Sequence, residues 1–395
     1  MAHRPAGMRP AYLIVSAILS VCAISLYAAQ PPSVSAGPRI VAMGDVHGAL
    51  DSLTTILRTT GLIDAQGKWS GGSTHLVQTG DYTDRGNDVR GVLDLLMRLE
   101  EEARNAGGRA DPLLGNHEAM NLLGEFRDVS TAMYASFADG RSEDRRNRAY
   151  REYVDVMKRR DVTPADQQTW NAAHPLGFVE YAEALGPRGK YGKWLRTRKA
   201  LHKDGDTLFM HAGVSDPSMG SLDDINRRVE RDIEAWDRAR ELLTRQGLIR
   251  PFFTLGEMLD AIVAELQRIA TAVKAGQPAG DHVTQSFVEA LQTAGQIGKS
   301  SLLNADGPLW FRGYAQWPEQ DDTKLTALLT HFGVSRIVSG HTPSRAILPR
   351  FNNRVFLIDT GMLVSTYKGR PSALEIANGT ATAIYPDSRE VLTAK

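Results

Sequence analysis

Cysteine is almost absent from this 395-residue chain, since Cys22 is its single example. A disulfide within the chain needs two cysteines and a thiolate metal cluster needs several, so both are excluded. Net charge is missing as well, because 46 basic side chains balance 46 acidic ones. Proteins that coat nucleic acid take their affinity from an excess of Lys and Arg, so we expect no nucleic acid partner.

Long uncharged runs are confined to the N-terminus, where Arg4 and Arg9 precede a mostly apolar stretch at 11–29. A basic start, an apolar middle and small residues at the end are typical of a secretory signal peptide. A single uncleaved membrane anchor is the alternative, because such a run nearly spans the ~30 Å hydrocarbon core of a bilayer. We therefore expect a signal peptide or membrane anchor at 1–29, a linker at 30–38, and an exported chain in the periplasm or another extracytoplasmic space.

Short apolar segments recur along the rest of the chain, and each runs into Gly, Asp, Asn or His. They cover residues 39–43, 74–79, 111–114, 207–210, 336–339 and 355–358. Helical patterns at 50–62 and 89–106 separate the first three, and this alternation indicates an α/β fold. Ligands of such folds gather beyond the carboxyl ends of the strands, so we expect a site where these segments end.

Two long stretches with helical patterning interrupt the alternation, at about residues 134–199 and 221–299. In the second stretch, six apolar residues recur at helical spacing: Leu259, Ile262, Val263, Leu266, Ile269 and Val273. We interpret this face as ordinary core contact.

The end of the first stretch is strongly basic, with seven Lys or Arg residues and no acidic residue between 186 and 203. The pattern favours a solvated face, and a surface that steers phosphorylated substrates by its charge is the alternative.

Five short elements at the strand ends carry carboxylate, imidazole and amide side chains. They are Gly44-Asp45-Val46-His47-Gly48, Gly80-Asp81-Tyr82-Thr83-Asp84-Arg85-Gly86, Gly115-Asn116-His117-Glu118, His211-Ala212-Gly213 and Gly340-His341-Thr342. Each element alone is weak, since a lone aspartate in this setting often caps a helix. The ordered series indicates a site for divalent Mn, Fe or Zn rather than Ca. The remaining histidines with no such context are interpreted as surface or core residues: His75, His174, His202, His282 and His331.

The series resembles the calcineurin-type metallophosphoesterases and, within them, the phosphoprotein phosphatase superfamily, whose pattern includes Asp84-Arg85-Gly86 and Glu118. Finer features resemble the bacterial, Shewanella-like group of that superfamily: Gly307-Pro308-Leu309-Trp310-Phe311-Arg312-Gly313-Tyr314, Gly192-Lys193-Trp194-Leu195-Arg196 and Ile358-Asp359-Thr360-Gly361-Met362. The resemblance covers most of residues 39–376. It implies one metallophosphoesterase domain at 39–390, built as a four-layer αββα sandwich with the two helical stretches as insertions.

Carried over position by position, the resemblance implies a site with two divalent ions, manganese first and iron or zinc as alternatives. The ligands of the first ion would be Asp45, His47 and Asp81. The ligands of the second ion would be Asp81, Asn116, His211 and His341.

The same resemblance implies catalytic roles for His117, Asp84, Arg85 and Arg312. His117, oriented by Asp84, would protonate the leaving group while a hydroxide that bridges the two ions attacks in line. Arg85 and Arg312 would bind the phosphoryl oxygens, for which the planar guanidinium offers two directed donors. Asn116 and Tyr314 would be further substrate-binding residues.

The implied activity is metal-dependent hydrolysis of a phosphomonoester on phosphorylated protein, on peptide or on a small molecule, with Ser/Thr and Tyr phosphate both open. Hydrolysis of diadenosine polyphosphate or another phosphoanhydride is one alternative. Relatives with that activity share the His211 and His341 elements but typically lack Asp84, so Asp84, Arg85 and Glu118 favour monoesters. The other alternative is a membrane-tethered module that binds metal without catalysis, which the full set of expected ligands disfavours.

Overall fold

The computed structural model describes residues 39–320 and 322–392. The predicted signal peptide or anchor at 1–29 and the linker at 30–38 lie outside the described residues. Within the described part, no helix is both long enough and apolar enough to cross a membrane.

The strands form two sheets, and we number strands and helices in chain order. The first sheet has six strands: β1 Ile40–Met43, β2 His75–Gln78, β3 Arg109–Pro112, β9 Ala373–Ala377, β10 Thr380–Tyr385 and β11 Ser388–Val391, in the order β11-β10-β9-β1-β2-β3. The second sheet has five strands: β4 Leu201–Asp204, β5 Thr207–Met210, β6 Arg336–Ser339, β7 Leu348–Arg350 and β8 Val355–Leu357, in the order β4-β5-β6-β8-β7. The strands β1, β2 and β3 are parallel, as are β5, β6 and β8.

Helices fill the connections between these strands. Their bounds are α1 Leu50–Thr59, α2 Val89–Asn105, α3 Asn116–Leu123, α4 Thr131–Ala135, α5 Ser142–Lys158, α6 Gln167–Ala173, α7 Phe178–Leu185, α8 Lys190–Leu195, α9 Leu222–Arg245, α10 Leu255–Lys274, α11 Gln285–Gly295, α12 Gly313–Gln316, α13 Thr323–Phe332 and α14 Val364–Tyr367. Helices α4–α8 occupy the first predicted helical stretch, and α9–α11 occupy the second.

The two sheets pack face to face through a compact apolar layer. Ala42 and Val77 of the first sheet contact Phe209 and Val338 of the second, and all four side chains are fully buried. The opposite face of the first sheet packs against α1 and α2, and α9 packs on β4 of the second sheet. The architecture is therefore an α/β sandwich of two mixed sheets with helices outside, as the sequence predicts.

Strand β3 begins two residues earlier than predicted, at Arg109 instead of Asp111. Its parallel register pairs Arg109 with His75 and Asp111 with Val77. Because β3 is an edge strand, it alternates exposed polar residues with buried ones and has no continuous apolar run. A search for apolar runs therefore misplaces such a strand.

The prediction for the amphipathic face of α10 is wrong for half of its residues. Val263, Leu266 and Val273 are 49%, 36% and 65% exposed, whereas Ile262 is completely buried. The buried face consists of Leu255, Met258, Ala261, Ile262 and Glu265. This face is rotated by about one residue from the predicted one, because both faces repeat at helical spacing and only the neighbouring helices decide between them.

Most of the basic residues between 186 and 203 are held by specific partners. Arg196 forms an ion pair with Asp237 at 2.7 Å, and Arg198 forms one with Glu100 at 2.9 Å. The ammonium group of Lys203 donates to the backbone carbonyl groups of residues 332 and 333. These contacts tie neighbouring elements together, whereas Arg188, Lys193 and Lys199 are exposed.

Neighbouring residues of α10 provide a direct test of its orientation. Replacing Ile262 by Ala should lower the free energy of unfolding by about 2–5 kcal/mol, because the change opens a cavity in the core. The matched change Val263→Ala should shift it by no more than about 0.5 kcal/mol, since that side chain is half exposed. Urea unfolding of the two variants measures both values, and equal losses would contradict the orientation of α10 described here.

Candidate active site

Two buried imidazole rings face each other with their unprotonated nitrogens. His211 donates from Nδ1 to the carbonyl oxygen of Thr79 at 3.0 Å, and His341 donates from Nε2 to the carbonyl oxygen of Trp310 at 3.1 Å. A carbonyl oxygen can only accept, so these nitrogens carry the ring protons. The lone pairs of His211 Nε2 and His341 Nδ1 therefore point at one another across 3.0 Å. The amide oxygen of Asn116, another acceptor, lies 2.8 Å from His211 Nε2.

Asp81 lies between this pair and a third imidazole. Its Oδ2 atom is 3.4 Å from His211 Nε2 and 3.7 Å from His47 Nε2, and the carboxylate is buried. Nδ1 of His47 donates to the carbonyl oxygen of Thr83 at 2.9 Å, so Nε2 of the neutral ring carries the lone pair. Oδ2 of Asp81 thus lies between two groups of ligands, while its Oδ1 accepts the backbone N–H of His117 at 3.0 Å.

Asp45 and Asp359 add two more buried carboxylates beside Asp81. Oδ1 of Asp45 accepts a hydrogen bond from the backbone N–H of His341 at 3.0 Å. Burial, together with the charges of Asp359 and Asp81, raises the pKa of Asp45 well above its usual value. Burial also raises the pKa of Asp359 to about 6. Three neighbouring buried carboxylates repel one another when all are ionised, so all three ionise together only beside positive charge.

This donor set fits divalent cations. Lone pairs of imidazole, carboxylate and amide converge at a buried place where they repel one another, and a cation among them removes the repulsion. The mixture of nitrogen and oxygen donors suits Mn, Fe or Zn. The structure brings all six predicted metal ligands into one cluster: Asp45, His47, Asp81, Asn116, His211 and His341.

Several of these residues have a left-handed backbone. The φ angle is 46° at His47, 54° at Asp81 and 67° at His341, and the neighbouring Asp84 and Arg85 have values of 67° and 65°. Such conformations cost a non-glycine residue of order 1–3 kcal/mol, so surrounding contacts must hold them in place. Their clustering at the carboxyl ends of the strands marks this edge of the sandwich as functional.

Glu118 supplies much of that support. Its fully buried carboxylate accepts the backbone N–H groups of Asp81, Tyr82, Thr83 and Gly115 and the hydroxyl of Thr83, all at 2.8–3.0 Å. These five hydrogen bonds fix the loop that carries Asp81. The sequence analysis identifies Glu118 only as part of a family pattern, and the structure gives it a positioning role.

A chain of hydrogen bonds orients His117. Its Nδ1 is 2.6 Å from Asp84 Oδ2, and the amide of Asn121 donates to Asp84 Oδ1 at 2.7 Å. The hydroxyl of Tyr181 donates to the amide oxygen of Asn121 at 2.5 Å. The other ring nitrogen, Nε2, faces the cluster, 3.9 Å from Asp81 Oδ2.

His117 also differs from the other histidines in its charge. Burial lowers the pKa of His47 to about 3, and burial likewise lowers the pKa of His211 and of His341. Burial opposes protonation of His117 too, but the charges of Asp81 and Asp84 outweigh it and raise its pKa to about 9. Three imidazoles are thus neutral, as metal ligands must be, and one is protonated, as a general acid must be.

The cluster forms the floor of a cavity of about 290 Å³ whose walls carry Arg85, Arg127 and Arg312. Arg85 donates to Nε2 of His47 at 2.7 Å and to the hydroxyl of Tyr367. Arg312 is exposed, and it donates to the carbonyl oxygen of His341 at 2.8 Å. A cation-binding floor beneath guanidinium walls suits a small oxyanion such as a phosphoryl group.

Tyr314 is the predicted site residue that the structure places elsewhere. It is 2% exposed, its hydroxyl donates to the carbonyl oxygen of Val214 at 3.0 Å and accepts from the N–H of Val214 at 3.1 Å. Its ring packs against Phe311 and Trp317, and it does not line the cavity in the part of the chain that the structure describes. Tyr314 therefore supports the segment around Arg312 from the core, and its substrate-binding role stays a prediction that this position does not favour.

The sequence analysis assigns no individual role to several residues that line the cavity. Asp359 follows the apolar segment at 355–358, so its position after a strand was a usable signal. Asp128 lies 3.9 Å from His117 Nδ1, and the ring of Tyr367 stacks on His47 with centroids 5.8 Å apart. Neither of these two follows a strand, and only the folded chain brings them to the site.

Comparison with known proteins gives matches to one family and to several named phosphatases. The family described as calcineurin-like phosphoesterase matches residues 38–246, just over half of the chain. Shewanella-like protein phosphatase 1 of Plasmodium berghei is 25% identical over 340 residues, which cover 84% of this chain and 69% of that protein. Shewanella-like protein phosphatase 2 of Arabidopsis thaliana is 34% identical over 181 residues, 45% of this chain and 46% of that protein.

Among solved structures, the cold-active protein-tyrosine phosphatase of a psychrophilic Shewanella species is similar, with a TM-score of 0.54 and 25% sequence identity. The similarity covers 90% of this chain and 81% of that one. The match to the family covers four of the five motif elements that meet at the cavity, and the similarity in structure extends over nearly the whole chain. We conclude that the chain belongs to the calcineurin-like phosphoesterase family and is a hydrolase of phosphate esters that depends on divalent metal ions.

Proposed function

We propose that the chain is a phosphomonoesterase that acts on phosphorylated protein or peptide and uses His117 as the general acid. The observation that carries the proposal is the contrast between the protonated His117–Asp84 pair and the neutral imidazoles of His47, His211 and His341. The alkoxide or phenoxide leaving group of a monoester needs a proton. Protonated His117 can donate one from Nε2, which faces the cluster.

The proposed ligands are Asp45, His47 and Asp81 for one ion and Asp81, Asn116, His211 and His341 for a second. When bound, two such ions neutralise the phosphoryl oxygens and supply a nucleophile at neutral pH, with manganese as our first choice of metal. Glu118 holds the loop with Asp81 so that the carboxylate keeps its place between the two ligand groups.

The remaining residues of the cavity bind and orient the substrate. Both arginines line the cavity: Arg85 donates to the hydroxyl of Tyr367, and Arg312 donates to the carbonyl oxygen of His341. Together they present donors to the non-bridging phosphoryl oxygens. Asp84 keeps the proton of His117 on Nδ1 and directs Nε2 towards the leaving group.

The choice of substrate rests on relatives as well as on geometry. Two of the relatives bear the name protein phosphatase, and the similar Shewanella structure is a protein-tyrosine phosphatase. Arg127 and Asp128 also line the cavity, whose volume of about 290 Å³ has room for a phosphorylated side chain. We further propose that the chain acts outside the cytoplasm, on the basis of the apolar run at 11–29.

The first test is release of phosphate from a panel of substrates, with Mn²⁺ or with a chelator. The panel contains phosphotyrosine, phosphoserine and phosphothreonine peptides and diadenosine tetraphosphate. We expect release from at least one peptide with Mn²⁺, and a loss of about 10²-fold or more with chelator or in Asp81→Asn, because the ligand shared by both ions is gone. Cleavage of the tetraphosphate alone would contradict the proposal, and so would metal binding without turnover of any substrate.

A second test separates the general acid from the other cavity residues. Replacing His117 by Asn should lower kcat for a phosphoserine peptide by about 10²–10⁴-fold, because the alkoxide then leaves without a proton. The loss should be much smaller for p-nitrophenyl phosphate, whose leaving group is stable as an anion. His331→Asn, an exposed control, should behave as the wild type with both substrates. Equal losses on both substrates in His117→Asn would show that His117 does not act as the acid.

A further inference from the structure

A second group of histidines and carboxylates lies at the other end of the strands. His75 begins β2 and Asp111 lies on β3, whereas His202 and Asp204 lie on β4 of the opposite sheet. Strands β3 and β4 are the edge strands of their sheets. The four side chains therefore meet where the two sheets come together at one open side of the sandwich. The catalytic cluster is at the carboxyl ends of the parallel strands, and this group is near their amino ends.

The contacts across the gap are short and involve both nitrogens of His75. Its Nδ1 is 2.5 Å from Asp204 Oδ2, and its Nε2 is 2.7 Å from Asp111 Oδ2. The His75 side chain is 4% exposed. The ring of His202 stands edge-on to it with centroids 5.1 Å apart. Arg109 is largely exposed, and its guanidinium donates to Oδ2 of Asp111 at a distance of 2.8 Å.

The hydrogen bonds of His75 with Asp111 and Asp204 do not explain the position of His202. Its Nε2 atom is buried and has no hydrogen-bond partner among the described residues. The nearest carboxylate oxygen, Asp111 Oδ2, is 4.0 Å away and is already bonded to His75 and Arg109. A buried polar atom with no partner costs about 1–3 kcal/mol, so His75 as a simple bridge between two aspartates does not account for this histidine.

A cation accounts for all four side chains. One ligand atom from each of His75, His202 and Asp204 lies within 4.8 Å of the other two. Zinc bonds of about 2.0–2.1 Å place tetrahedral ligand atoms about 3.3 Å apart, so small side-chain movements complete the site. Metal-bound histidines usually donate their other ring N–H to a carboxylate, and Asp111 already accepts from His75.

We infer that His75, His202 and Asp204 bind a first-row transition-metal cation such as Zn²⁺, with Asp111 orienting His75. The site is distinct from the catalytic cluster and shares no residue with it. Imidazole and carboxylate donors suit Zn²⁺, and one ion held by residues of both sheets joins their edges. We assign the ion a structural role, because its ligands come from strands of two different sheets.

The test counts Zn²⁺ ions bound to the full chain. The protein is equilibrated with Zn²⁺, freed of unbound metal by gel filtration and analysed by elemental mass spectrometry. We expect wild type and the control His331→Ala to retain one more equivalent of Zn²⁺ than His202→Ala or Asp204→Asn. In the same proteins, phosphate release with Mn²⁺ should stay at the wild-type level, because neither residue belongs to the catalytic site.

The two variants differ in what they leave behind. His202→Ala removes no hydrogen bond of the described structure, and Asp204→Asn keeps an oxygen that can accept from His75 but binds metal poorly. A variant that elutes from gel filtration at the wild-type volume is folded, so its zinc content decides the question whatever its phosphatase activity. The same number of Zn²⁺ equivalents in wild type and in such a variant would overturn the inference.

Discussion

The active site depends on lone pairs that are forced together. His211 and His341 each donate their one ring N–H to a backbone carbonyl oxygen. Their other ring nitrogens therefore face each other at 3.0 Å, with the carboxylate of Asp81 beside them. Without a cation this arrangement is repulsive, and with one it is a ready ligand set. The neutral state of these rings, the raised pKa of Asp45 and the position of Asp81 all follow from the same requirement for positive charge.

Holding such a site requires rigid support from the rest of the fold. His47, Asp81 and His341 have left-handed backbones. This conformation costs free energy for residues other than glycine. Glu118 offsets that cost for the loop of Asp81 with five hydrogen bonds, and the strands set the positions of the loop ends. The sandwich thus serves to bring several strained turns to one edge, where each contributes one or two side chains to a shared centre.

The features predicted best from the sequence are those that depend on local pattern. Strands β5 and β6 have the predicted bounds, and the residues that follow them, His211 and His341, reach the site as expected. The face of α10 was mispredicted because an apolar pattern does not reveal which neighbour will cover a side chain, and the resemblance that includes Tyr314 does not reveal that its ring is buried. Tyr367 and Asp128 had no local signal, since their place in the cavity depends on how distant segments pack.

Charge assignment was the other limit of the sequence. The resemblance implies that His117 is the proton donor, but the contrast with the three other histidines of the site comes from burial and from the charges of Asp81 and Asp84, which only the structure shows. The same applies to His75 and His202, which the sequence analysis interprets as surface or core residues and which the fold brings to two carboxylates. A histidine or carboxylate outside a sequence motif can be assigned to a site only when the residues around it in the fold are known.

The measurement that tests the account most directly is anomalous diffraction from crystals of the protein loaded with Mn²⁺. The account predicts two anomalous peaks roughly 3.5–4 Å apart, one on each side of the Asp81 carboxylate. One peak should lie next to Asp45 and His47, and the other next to Asn116, His211 and His341. A single peak, or two peaks that do not share Asp81, would contradict it.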